Sequence, residues 1–168
     1  MRWVGAFLVL LAGGYVGFSI ALSHRKEERT FRQIIAAINY MECELQYRLT
    51  PLPQLLGQAS QETAGIVRNV LAELAFELNN QITPQVSSCM DIVLLKQKDI
   101  SQNIKEAFSQ LGQCLGRFDL QGQLKELDYV RVFCTSHLND LEANRDARLR
   151  SYQTLGLCAG AALAILLL

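Results

Sequence analysis

The chain begins and ends in uncharged apolar sequence. Trp3 to Leu22 (WVGAFLVLLAGGYVGFSIAL) contains no Asp, Glu, Lys, Arg or His, and neither does Leu155 to Leu168 (LGLCAGAALAILLL). The first run, wound as a helix, is long enough to cross about 30 Å of hydrocarbon. The second is marginal by length, but Tyr152 to Thr154 would supply an interfacial turn. Two such runs predict a chain held at both ends: an anchor over 1–22, a domain over 23–150 and an anchor over 151–168. A cleaved secretory signal is the alternative for the first run, because Arg2 precedes the apolar core and Ser19 and Ala21 are small residues placed as before a cleavage site. Gly13, Gly14 and Gly17 within the core, and the dense HRKEER of residues 24–29 after it, argue for an uncleaved anchor. The second run could be a core helix, yet it is apolar all round rather than along one stripe.

Charge then orients the chain. Arg25, Lys26, Arg29 and Arg32 follow the first run, and Arg145, Arg148 and Arg150 precede the second, so the middle is expected in the cytoplasm with its basic ends against anionic headgroups. Setting Arg2 aside, residues 23–150 hold the other 15 of 16 basic residues and all 16 acidic ones. So balanced a domain gives no argument for nucleic acid. Gly13 and Gly17, like Gly156 and Gly160, form GxxxG, the spacing that lets helices approach closely in lipid; two readings stay open, that the anchors pack on each other or that glycine and alanine are simply common in membrane helices.

The domain reads as an all-α antiparallel bundle of five to six helices. Phe31, Ile34, Ile38, Met41, Leu45 and Leu49 recur at three-four spacing, with Arg32, Gln33 and Glu42 on the other side. A second helix is expected from about Ala64 to Leu78, a third from Val86 to Leu95, and a fourth after Ser101, a good cap residue, weakened by Gly112 and closed by Gly116. After the plausible cap Asp119, one long helix should run from Leu120 onward with Leu124, Leu127, Val130, Phe133, Leu138 and Leu141 inward, spanning about 70 Å. The five cysteines, Cys43, Cys89, Cys114, Cys134 and Cys158, are scattered without a CxxC pair. They suggest small core hydrophobes rather than disulfides or a zinc site.

In ELQYRLTPLP, residues 44–53, the first helix meets two prolines. Pro51 and Pro53 push Thr50 and Leu52 toward extended conformations and force a rigid corner. Counted from residue 24 at 1.5 Å per residue, the corner stands about 39 Å along the helix, at the end of the domain farthest from the anchors. The loop of residues 116–123 should lie beside it. One reading makes the corner a stiff connector and Asp119 a cap. The sharper one makes Tyr47, Thr50, Pro51, Leu52, Pro53, Gly116, Asp119 and Gln123 a docking surface for another protein.

The pattern ExxYxxTPL, here Glu44, Tyr47, Thr50, Pro51 and Leu52, is followed by LGxxDxxxQ, here Leu115, Gly116, Asp119 and Gln123, and then by LGxxxG with an apolar tail. In this order between two apolar ends, it resembles the stage III sporulation protein AB family. That family is similar to the cytoplasmic domains of type II secretion F inner-membrane proteins. The resemblance implies a mother-cell membrane protein of endospore-forming bacteria, part of the channel apparatus between mother cell and forespore. It further implies a cytosolic domain that works with a secretion-type ATPase, stage III sporulation protein AA, and with other membrane subunits.

The residues themselves point away from catalysis. No GxxxxGK[ST], GxSxG or HExxH is present, and His24 and His137 stand far apart. No nucleotide, cofactor, metal or small-molecule substrate is therefore expected. Glu42 and Glu44, like Glu126 and Asp128, are two apart, which divides each pair between helix sides and suggests solvated faces. Two readings from other classes remain: a coiled-coil-like membrane tether or signalling stalk, which would need an uninterrupted heptad that Pro51, Pro53 and Pro84 break, and a secreted helical protein with its signal removed.

Overall fold

The computed structural model describes the backbone of residues 2–48, 50–80, 85–97, 100–116 and 119–167, and the side chains that fall within these spans between Arg25 and Ala143. Six helices follow one another: α1 (Arg2–Tyr47), α2 (Leu52–Gln61), α3 (Gly65–Asn80), α4 (Val86–Lys96), α5 (Gln102–Cys114) and α6 (Leu120–Leu167). No strand occurs among the described residues. Four short helices lie between two long ones, so the domain is a bundle rather than a stalk.

Short connections make successive helices antiparallel. The α2–α3 turn comes back beside α1, where Gln33 Oε1 accepts the Ala64 N–H at 2.8 Å. Gly65 takes φ +63°, a left-handed conformation that an L residue adopts only under strain. The start of α5 returns to the same end, with Ser101 Oγ donating to Glu27 Oε1 at 2.7 Å. The starts of α2 and α4 and the close of α5 gather at the opposite end. The bundle thus has a near end, marked by Glu27, Arg32 and Ser101, and a far end, marked by Leu52, Val86 and Gly116.

α1 is the central element and packs on α2, α3, α5 and α6. Its stripe of Phe31, Ile34, Ile38 and Met41 is wholly buried, as three-four spacing predicts. Leu55 and Leu56 of α2, Leu71 and Leu74 of α3, Met90 of α4, and Phe108 and Leu111 of α5 complete the core. Each such side chain contributes about 1.5–3 kcal/mol of transfer free energy. Among the described side chains of α6, Leu127, Val130 and Cys134 are the apolar ones fully covered, while Leu124, Phe133, Leu138 and Leu141 are half-buried. The reason is position: among the described residues α6 packs on α1 and α5 alone.

Several expectations are corrected. The segment after the proline corner is helical, and Leu52 is its first residue rather than extended, because Pro51 (ψ 139°) is the N-cap and Pro53 sits in the first turn. N–H groups there have no helical partner to lose, which outweighs the bias against helix before a proline. Gly112 lies inside α5 and also has a packing role: a Cβ there would stand 2.8 Å from Met90 Cβ, so its absence lets α4 and α5 close together. Ser101 caps α5 by backbone alone, its hydroxyl being given to Glu27. Cys43 is exposed, whereas Cys89, Cys114 and Cys134 are buried. Burial pushes the Cys134 thiol up to about 12, and burial followed by the Glu126 carboxylate pushes Cys114 up to about 11.

Glu42 and Glu44 are likewise not freely solvated. Glu42 Oε2 lies 3.6 Å from Arg131 Nη1 across the α1–α6 seam, and Arg131 also holds Asp128. Burial raises the Glu42 pKa against the pull of Arg131. No helix among the described residues is long and apolar enough to cross a membrane. The side chains of the runs at 3–22 and 155–168, with the packing expected of Gly13, Gly17, Gly156 and Gly160, lie outside the described residues.

Candidate functional site

At the far end four residues separate the end of α1 from the start of α2, and Glu44 organises the passage between them. Thr50 Oγ1 donates to Glu44 Oε2 at 3.3 Å, and Arg48 Nη1 lies 3.5 Å from Glu44 Oε1. Tyr47, one turn beyond Glu44, is left 79% exposed. The spacing of Glu44, Tyr47 and Thr50 thus has a local cause: the carboxylate ties the corner back to the helix while the phenol faces solvent. The Pro51 carbonyl then accepts the Leu55 N–H at 2.9 Å, fixing where α2 starts.

Gly116 closes α5 in the left-handed region at φ +77°. A Cβ there would stand 3.2 Å from Val86 Cγ2 and 3.5 Å from Leu52 Cδ2. Glycine is therefore favoured twice over, by conformation and by close approach. Leu52 and Pro53 meet Leu78, Val86, Leu115 and Gly116 around an open, mainly apolar cleft of about 250 Å³. The proline corner and the close of α5, more than sixty residues apart in sequence, are brought together as expected.

Asp119 serves the start of α6: its Oδ1 accepts the Gly122 N–H at 3.1 Å, and its carbonyl accepts the Gln123 N–H at 2.8 Å. That satisfies helix-end donors in the usual N-cap manner. Gln123 is 9% exposed, so it supports the end of the bundle instead of presenting a surface. Sequence reasoning missed Leu78 and Val86, which the cleft shares with Leu52. Their signal was present in the apolar periodicity of α3 and α4, but nothing local tells which end of a helix meets which loop.

At the near end Arg25, Lys26 and Arg29 are exposed. Arg32 is not free, because its Nη2 contacts Glu28 Oε1 at 2.9 Å and Glu142 Oε1 at 2.7 Å. Arg145, Arg148 and Arg150 lie outside the described side chains. His137 stacks on Phe31 at 5.8 Å and lies tilted against Phe133 at 4.3 Å between ring centroids, a packing role. Among the described residues no group of three or more His, Cys, Asp or Glu side chains could hold a metal ion.

These features define an all-helical bundle whose two ends differ, one built from loops and apolar contacts and the other from polar links. The chain belongs to the stage III sporulation protein AB family, whose sequence profile matches residues 2–168. The stage III sporulation protein AB of Bacillus subtilis (strain 168) is 24% identical over 171 residues, covering 100% of this chain and 99% of that protein. A solved structure of a stage III sporulation protein AB superposes with a TM-score of 0.64 at 22% identity, covering 73% of this chain and 98% of that one. At that identity the likeness shows a shared fold.

Proposed function

We propose that the chain is a non-catalytic, membrane-anchored platform in the secretion-like channel between mother cell and forespore. Its central domain faces the mother-cell cytoplasm, and its far end receives a secretion-type ATPase, stage III sporulation protein AA. The near end and the apolar termini meet lipid and other membrane subunits. Membership of a sporulation family and the apolar runs at both ends of the sequence support this reading.

The observation that carries the docking site is the junction at Gly116. There the first and last thirds of the domain converge on an apolar cleft, with the exposed Tyr47 ring beside the same corner. Rigid loop-built ends with a large exposed aromatic are favourable docking surfaces, because little conformational entropy is lost on binding. Tyr47→Ala combined with Asp119→Asn, which keeps the helix cap, should lower co-purification with the ATPase at least tenfold while far-ultraviolet circular dichroism stays unchanged. Full-strength binding by this double variant would rule out the far-end site.

A further inference from the structure

The sequence HRKEER carries almost balanced charge, but the fold sorts it by sign. Glu27 turns toward the bundle, where its Oε1 accepts from Ser101 Oγ at 2.7 Å and from Asn103 Nδ2 at 3.4 Å. The Glu28 side chain is only 14% exposed and is held by Arg32. Both acids are thereby spent on internal links. Arg25, Lys26 and Arg29 remain exposed. Arg25, Arg29 and Arg32 recur at i, i+4 and i+7, which places them on the side of α1 opposite the buried stripe of Phe31, Ile34 and Ile38, with Lys26 flanking. Arg32 is neutralised by its two carboxylates, so the outward face keeps three cations within five residues. Immediately before them in sequence runs the uncharged Trp3–Leu22.

We infer that Arg25, Lys26 and Arg29 form a lipid-binding collar, selective for anionic phospholipid headgroups over zwitterionic ones. This rests on the anchored-platform reading. Charge complementarity selects the partner: cations bordering a hydrocarbon-compatible segment lie at headgroup depth, where phosphate is the prevailing anion. The inward turn of Glu27 and the pairing of Glu28 with Arg32 do what sequence charge alone does not, compensating the acids that would otherwise weaken the attraction. Arg25 and Arg29 also offer planar donors to phosphate oxygens.

The test uses the full chain in a neutral detergent supplied with equal amounts of phosphatidylglycerol and phosphatidylcholine, with retained lipid read by native mass spectrometry. The wild type should retain phosphatidylglycerol preferentially. A basic side chain near an anionic surface is worth about fivefold in affinity, so Arg25→Gln/Lys26→Gln/Arg29→Gln should reduce that preference by about a hundredfold. The charge-preserving Arg25→Lys/Arg29→Lys should retain most of it, and added salt should erode it in the wild type. No preference in the wild type, or an undiminished one in the triple glutamine variant, would overturn the collar. ATPase co-purification, measured on the same samples, separates the two ideas: it should be untouched in the triple variant. Its loss in the Tyr47 variant with lipid preference intact would leave both standing independently.

Discussion

The far and near ends of the bundle are closed by different physics. At the far end, Leu52, Val86 and Gly116 meet through apolar contact and a left-handed glycine, and the polar groups of Glu44 and Asp119 are used within their own stretches of chain. At the near end, Glu27, Arg32 and Gln33 of α1 reach across to Ser101, Glu142 and Ala64, residues remote in sequence. Shape therefore defines one end and polar links tie the other. The contrast matters because apolar contact scales with area and is not subject to ionic screening, whereas exposed ion pairs are screened and individually weak.

Substitutions at the two ends should consequently differ in size. Beneath the near-end polar links lies Phe31, wholly buried and stacked on His137. Phe31→Ala should cost about 3–5 kcal/mol in urea unfolding of the folded chain. A loss below about 1 kcal/mol would mean that the near end is not held by its apolar layer. At the far end, Gly116→Ala forces a Cβ into a left-handed backbone and against Val86, and should cost about 1–3 kcal/mol. Native-state hydrogen exchange should show the loss concentrated at the close of α5 and the start of α4. Uniformly increased exchange across both ends would erase the distinction drawn here. Smallest is Arg32→Gln, which breaks two exposed pairs and should cost under about 1 kcal/mol, less in high salt. A larger, salt-independent loss would show that the near-end ion pairs act as a buried network.

Much of this arrangement could be read before any fold was known. The α1 stripe, the start of α6 at Asp119 and the close of α5 at Gly116 were all legible, because periodicity, capping and left-handed glycine act through neighbours within a turn or two. The start of α2 was misread, since proline reads as a breaker unless its place in the first turn is recognised. Glu42 read as solvated because its partner Arg131 lies on another helix. Cys43 read as core because residue type says only how often such a side chain is buried. At the candidate site, the joining of the proline corner to the loop of residues 116–123 could be anticipated from helix lengths, but the contribution of Leu78 and Val86 could not.

By itself the sequence determined the helical class, the order of the elements other than α2, the proline corner and the uncharged apolar runs near both ends, and it carried the family's signature from end to end. Tertiary structure alone decided which acids turn inward, which arginines are paired, and that Gly112 and Gly116 are contact points rather than mere breakers. The division has one physical cause. Helix formation is settled by hydrogen bonds and side-chain spacing within a few residues, whereas burial, ion pairing and close approach depend on groups that only packing brings within a few ångströms.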